Sequence, residues 1–118
     1  MKYLLLIHHD DTIDALSKEE GEQLTQESRD CDDALEQSGH LITANALRLP
    51  ALTRCVRRRG RKPTVTDGPF AETKEQVIGF LLIEAADMDE AVRIAGEIPL
   101  ARTGTIEVRP AYSIREEF

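Results

Sequence analysis

Hydrophobic and polar positions along the chain mark out a short series of strands and helices. From Tyr3 to His9 the apolar residues fall on both sides of an extended segment, with Tyr3, Leu5 and Ile7 on one and Leu4 and Leu6 on the other. A run apolar on both faces predicts a buried strand. Ser17-Lys18-Glu19-Glu20 is a capping box, since the Ser17 hydroxyl suits the amide three residues on and Glu20 reaches back. The helix it opens runs to Gly39, the left-handed residue expected past a C-terminus. Leu24, Ser28, Cys31 and Leu35 form one narrow, weakly apolar stripe along it.

Leu41 to Leu49 predicts a second strand closed by Pro50. Thr53–Arg58 and Pro63–Thr66 flank Arg59-Gly60-Arg61-Lys62, a hairpin signal, and Asp67-Gly68-Pro69-Phe70 is a loop. Gln76 to Glu84 is the clearest strand, with Val77, Leu81 and Ile83 set on one face and Ile78, Phe80 and Leu82 on the other. A second helix starts at Asp87, places Met88, Ala91, Val92 and Ala95 on its apolar stripe and stops near Pro99. Thr105–Arg109 is a last strand, and 110–118 a mixed tail. The expected architecture is therefore α+β, a single domain over 1–118 with two helices on one face of a four-stranded antiparallel sheet. Two helices leave the other face of that sheet bare, and a homodimer packed sheet to sheet is the simplest cover.

Length and composition fit one such domain: 118 residues, 41% apolar. The net charge of −7 repels phosphate backbones and anionic lipid, so nucleic acid and membrane are poor partners. Five apolar residues near the N-terminus neither span a bilayer nor make a signal peptide, which predicts a cytoplasmic location. Cys31 and Cys55 form no CxxC, and no pattern of metal-ligand or cofactor-binding spacing is present.

Candidate chemistry gathers at strand ends and loops. His8, His9, Asp10 and Asp11 close the first strand; consecutive strand residues point to opposite faces, so one histidine looks into a dimer cleft and the other to the helices. A histidine beside a carboxylate can shuttle a proton, but the same residues also suit a plain polar turn. Adjacent histidines on a strand do not converge on one metal ion. Asp67 either closes an Asx turn or faces the cleft as a base. Arg102 either forks an anionic ligand or sits as a cation at a helix end, and His40 suits the latter role too. Arg54, Arg57, Arg58, Arg59, Arg61 and Lys62 place six positive charges in nine residues. No aromatic interleaves them, so a solvated hairpin, or one docking on the acidic helix of a partner subunit, is favoured over nucleic-acid contact.

The stretch Thr66-Asp67-Gly68-Pro69-Phe70-Ala71-Glu72-Thr73-Lys74-Glu75 resembles the signature of DGPF-domain proteins, a branch of the YCII-related family. The opening Met-Lys-Tyr-Leu-Leu-Leu-Ile, the stretch from Ile98 to Gly104 and Glu107-Val108-Arg109-Pro110 also fit, so the resemblance covers nearly the whole chain. It implies a ferredoxin-like fold that dimerises into an α/β barrel. The wider family includes a dehydrochlorinase acting on a chlorinated hydroxyhydroquinone, with a His–Asp acid–base pair. The DGPF branch often accompanies extracytoplasmic-function sigma factors. The family's histidine falls in the first helix, where this chain has none and Ser28 stands near the position, so that pair is not carried over.

Together these readings predict a homodimer binding a compact anionic or phenolic ligand, with cofactor-free proton transfer such as elimination or isomerisation. His9 and Asp67 are the expected acid–base residues, and Arg102, Asp10 and Phe70 the ligand-binding ones. The rival expectation is a regulatory protein that docks on a sigma factor.

Overall fold

In the computed structural model, which describes residues 1–115, the chain folds into strands β1 (Lys2–His9), β2 (Leu41–Ala46), β3 (Arg54–Arg58), β4 (Pro63–Asp67), β5 (Gln76–Glu84) and β6 (Thr105–Ala111). Helices α1 (Lys18–Gln37) and α2 (Met88–Glu97) lie between them, with short 3-10 turns at Asp11–Ala15, Pro50–Leu52 and Pro99–Arg102. The main sheet is fully antiparallel in the order β2-β5-β1-β6, the ferredoxin-like arrangement the sequence suggests. The last three positions of the expected tail, and of the 1–118 span, lie outside the described residues.

Local chemistry fixes the helix ends. The Ser17 side chain accepts from the Glu20 amide and Glu20 accepts from the Ser17 amide, so both halves of the capping box form. Gly39, at φ 80°, takes the left-handed turn after α1, and the His40 amide donates back to the Leu35 carbonyl. Asp87 caps α2 through the Glu90 amide.

One face of the sheet holds the core. Tyr3, Leu5, Ile7, Leu81 and Ile83 pack with Leu35 of α1 and Ala91, Ile94 and Ala95 of α2. Several details depart from the sequence reading. Strand β4 takes in Asp67 and β6 runs through Pro110 to Ala111, where a loop and a tail are expected, because both ends stay paired, with Arg54 and with β1. Strand β2 stops at Ala46, because Pro50 and the 3-10 turn it starts end the ladder. On α2, Met88 and Val92 are exposed, while Ile94 is buried beside Ala91 and Ala95. On β5, Val77 lies opposite His8 and Ile78 packs on the core, the reverse of simple alternation. The cause is a bulge: between Ile7 and His8 the register with β5 slips by a residue, which exchanges the faces.

The opposite face carries Leu4, Leu6, Val77, Phe80 and Leu82 at its centre, and no helix covers it. Strands β3 and β4 do not join the main sheet but form a separate two-stranded arm. The arm makes the molecule broad and thin, 46 × 46 × 19 Å, with a radius of gyration of 16.2 Å against about 13.5 Å for a compact chain of this length.

Candidate functional site

The end of β1 sends its two histidines in opposite directions. His8 stands on the open face, where its Nε2 lies 2.9 Å from Glu107 Oε1 on β6. His9 turns to the helix side and is only 4% exposed. Its Nδ1 is 2.9 Å from the Asp10 carbonyl, which can only accept, so Nδ1 carries the proton and donates. In the neutral ring Nε2 then accepts from the Thr103 hydroxyl at 2.8 Å. The imidazole is thus locked in one tautomer and one orientation.

Gly104 makes this packing possible. A Cβ there would sit 2.3 Å from the His8 carbonyl and 3.0 Å from His9 Cδ2, so the turn after the 3-10 segment closes on the histidine only without a side chain. Asp10, the next residue, caps the 3-10 turn at Asp11–Ala15. One of its oxygens accepts from both the amide and the hydroxyl of Thr12, and those bonds hold the carboxyl below its ordinary range.

His9 is part of the walls of two clefts. The larger, about 450 Å³, lies between the 3-10 turn after β1 and the chain that leaves β2. Ile13, Leu47, Leu49, Pro50 and Ile78 supply its apolar lining, Asp10, Asp11 and Asp14 its acidic side, and Arg48 and Lys74 its basic side. Neither Arg48 nor Lys74 has a hydrogen bond or ion pair among the described residues. The smaller cleft, about 340 Å³, runs between α1 and the Pro99–Arg102 turn and is lined by Thr12, Gln23, Glu27, Arg102 and Thr103.

The residues singled out from sequence are therefore separated. His9 and Asp10 are brought together. Arg102 lies on the far side of His9, and its guanidinium is already paired with Glu27 at 2.7 Å. Asp67 ends β4 on the arm, its side chain 90% exposed and 3.5 Å from Arg54. Phe70 is 79% exposed with Arg57 over its ring, and neither it nor Asp67 lines a cleft with His9. His40 bonds Ser38 and Glu90, tying the end of α1 to α2.

Three cleft residues escaped the sequence reading. Thr103 and Arg48 give no signal: one is a lone threonine after a helix, the other a single charge between two leucines. Lys74 had one, since it stands inside the signature stretch three residues before β5 begins to alternate. Among the described residues no group of three or more His, Cys, Asp or Glu side chains converges on a metal position, Cys31 and Cys55 are free thiols, and no helix is long and apolar enough to cross a membrane.

Comparison with known proteins gives two findings. A family model, the YCII-related domain, matches residues 1–115. The chain is also 36% identical over 113 residues to an uncharacterized protein of Rhizobium meliloti strain 1021, an alignment covering 93% of this chain and 91% of that one. With its antiparallel ferredoxin-like sheet and a match along almost its whole length, this chain belongs to the YCII-related domain family.

Proposed function

We propose that this protein binds a compact, hydroxylated anion, a phenolic acid being the simplest kind, in the cleft beside His9, and moves a proton on it without a cofactor. The observation that carries the reading is a pair of cations, Arg48 and Lys74, that make no hydrogen bond or ion pair among the described residues and line the same cleft as an oriented, buried histidine, with Lys74 near enough to Asp10 to help hold its carboxyl down. Arg48 and Lys74 favour an anionic group against the apolar lining, while Asp11 and Asp14 of the same cleft accept from a ligand hydroxyl. Its volume, about 450 Å³, suits a single ring with its substituents.

His9 is the acid–base group in this reading. With Nδ1–H held by Asp10 and Nε2 on the Thr103 hydroxyl, which lies on the side of the smaller cleft, His9 takes the ligand's proton at Nε2 only once it releases that hydroxyl and turns to the larger cleft. Isomerisation needs that proton removed and then returned at a second position, and elimination needs its removal as a leaving group departs with its bonding electrons. Self-association belongs to the same proposal: a second copy laid over Leu4, Leu6, Val77, Phe80 and Leu82 buries the open face of the sheet.

A thermal-shift panel of benzoate, salicylate, 4-hydroxybenzoate and catechol tests the binding. A ligand at 100 times its dissociation constant stabilises by about 2.7 kcal/mol. The expected result is a raised melting temperature with the hydroxylated acids that disappears in the Arg48→Ser, Lys74→Ser double variant. An equal shift in that variant, or none with any anion, overturns the assignment.

A further inference from the structure

The arm has too little of its own chain to rest on. All five residues of β4 and four of the five in β3 are exposed, and a lone two-stranded ribbon is marginally stable in water. Register places Val56 directly opposite Val65 on one face, and the two remain 64% and 55% exposed. Arg54 and Arg58 flank that pair on the same face, and Arg59, Arg61 and Lys62 crowd the tip. An apolar pair with cations on its tip side, Arg54 on the other side being already paired with Asp67, is the composition of a docking surface for something acidic.

The same molecule offers that counterpart. Helix α1 carries eight acidic side chains against two basic ones. Glu19, Glu22, Asp30, Asp33 and Glu36 are exposed on the outward face of the helix, where Lys18 and Arg29 also lie, so five carboxylates face outward against two cations. From Glu22 to Asp33 that face is about 17 Å long at 1.5 Å per residue. A five-residue strand spans about the same, at 3.3–3.4 Å per residue. Within the chain, the ion pairs of the arm and of α1 run elsewhere: Arg54 meets Asp67, and Glu27 meets Arg102.

We infer that the β3–β4 arm docks on the acidic outward face of α1 in a second copy of this chain, with Val56 and Val65 at the centre of the contact and Arg58 and the tip cations beside it. The inference rests on the self-association proposed above and adds a second, charge-dependent contact to it. Because each chain carries both the basic arm and the acidic helix, the interaction is reciprocal between two copies, so each arm meets the other copy's helix.

The test is sedimentation of the full chain from 50 to 500 mM NaCl, for the parent, an arm reversal (Arg58→Glu, Arg59→Glu, Arg61→Glu), a helix reversal (Glu22→Lys, Asp30→Lys, Asp33→Lys) and their combination. Each reversal should weaken dimerisation about tenfold or more at low salt, the combination should restore it, and rising salt should level the four proteins. Carbodiimide cross-linking of a mixed ¹⁴N/¹⁵N dimer should join Lys62 to α1 carboxylates in mixed-isotope pairs. A chain that stays equally dimeric with either reversal, or gains nothing from the combination, overturns the arm contact while sparing the dimer. A chain monomeric in every form overturns both. Lys62 cross-links confined to one isotope also overturn it.

Discussion

Gly104 and Ser17 show how single side chains decide local geometry. Gly104→Ala forces a Cβ to within 2.3 Å of the His8 carbonyl, so we expect a loss of about 2 kcal/mol, read by urea denaturation. That strain would also show as a changed His9 ring signal in NMR. Ser17→Ala removes the acceptor for the Glu20 amide and should cost about 1 kcal/mol. The paired contact holds the Glu20 carboxyl below its usual range, so its stabilising effect is present above that range and fades as pH falls through the lowered value. The cost of Glu20→Ala should therefore shrink in acid, whereas that of Ser17→Ala, which leaves the Ser17 amide to hold the carboxylate, should change much less. Asp32 behaves in the opposite sense: burial first, then the neighbouring Asp33, pushes its carboxyl up, which penalises the folded state once the group ionises. Asp32→Asn should stabilise the protein at pH 7, with the difference vanishing below the ordinary carboxylate range. Of these residues the cap was plain in the sequence, four letters being enough. The need for glycine at 104 was not, because the clash is with the end of a strand almost a hundred residues away.

At the level of elements, the contrast between β1 and β5 is instructive. Alternation along β1 survives intact, with Tyr3, Leu5, Ile7 and His9 buried in turn. Along β5 it fails at the start, since the bulge opposite Ile7 and His8 hands the core position to Ile78 and turns Val77 outward. Sequence periodicity assumes an unbroken pleat, and nothing in Gln76-Val77-Ile78 announces the slip. The face of α2 was misjudged for a related reason: with only ten residues, Met88 and Val92 compete with Ile94 for the stripe, and contact with the sheet decides. Leu5→Ala, at the centre of that contact and fully buried, should cost about 2–5 kcal/mol by denaturation, whereas Val92→Ala should fall within about 1 kcal/mol.

For the molecule as a whole, the open face and the arm are the two surfaces one chain leaves unfinished. Leu6 sits at the centre of that face, opposite Phe80 and away from the helices. Leu6→Asp should leave the fold in place but shift the protein towards monomer, measured by sedimentation, and should remove any dependence of the melting temperature on concentration. A variant as dimeric as the parent would argue against a sheet-to-sheet contact. Scale also separates the site residues. The sequence places His9, Asp67 and Phe70 in one group because each is a polar or aromatic residue at a loop. The fold puts Asp67 and Phe70 on the arm and fills the cleft beside His9 with Arg48 and Lys74 instead.

What the chain determines by itself is what neighbours in sequence can settle. The capping box of α1, its glycine stop, the two-sided apolar run of β1 and the hairpin turn all depend on side chains a few positions apart, and all are present in the structure. The order of elements then limits the sheet to very few topologies. What only the tertiary structure decides is register and cover. Which histidine meets the helices follows from pairing β1 with β5 across some seventy residues, and the partner of His9 Nε2 is Thr103, further away still. The cations of the cleft come from the exit of β2 and the entry to β5, two segments that converge because those strands are paired. Such contacts are set by the energy of the whole packed sheet, in which no short stretch of sequence holds more than one side of the pair.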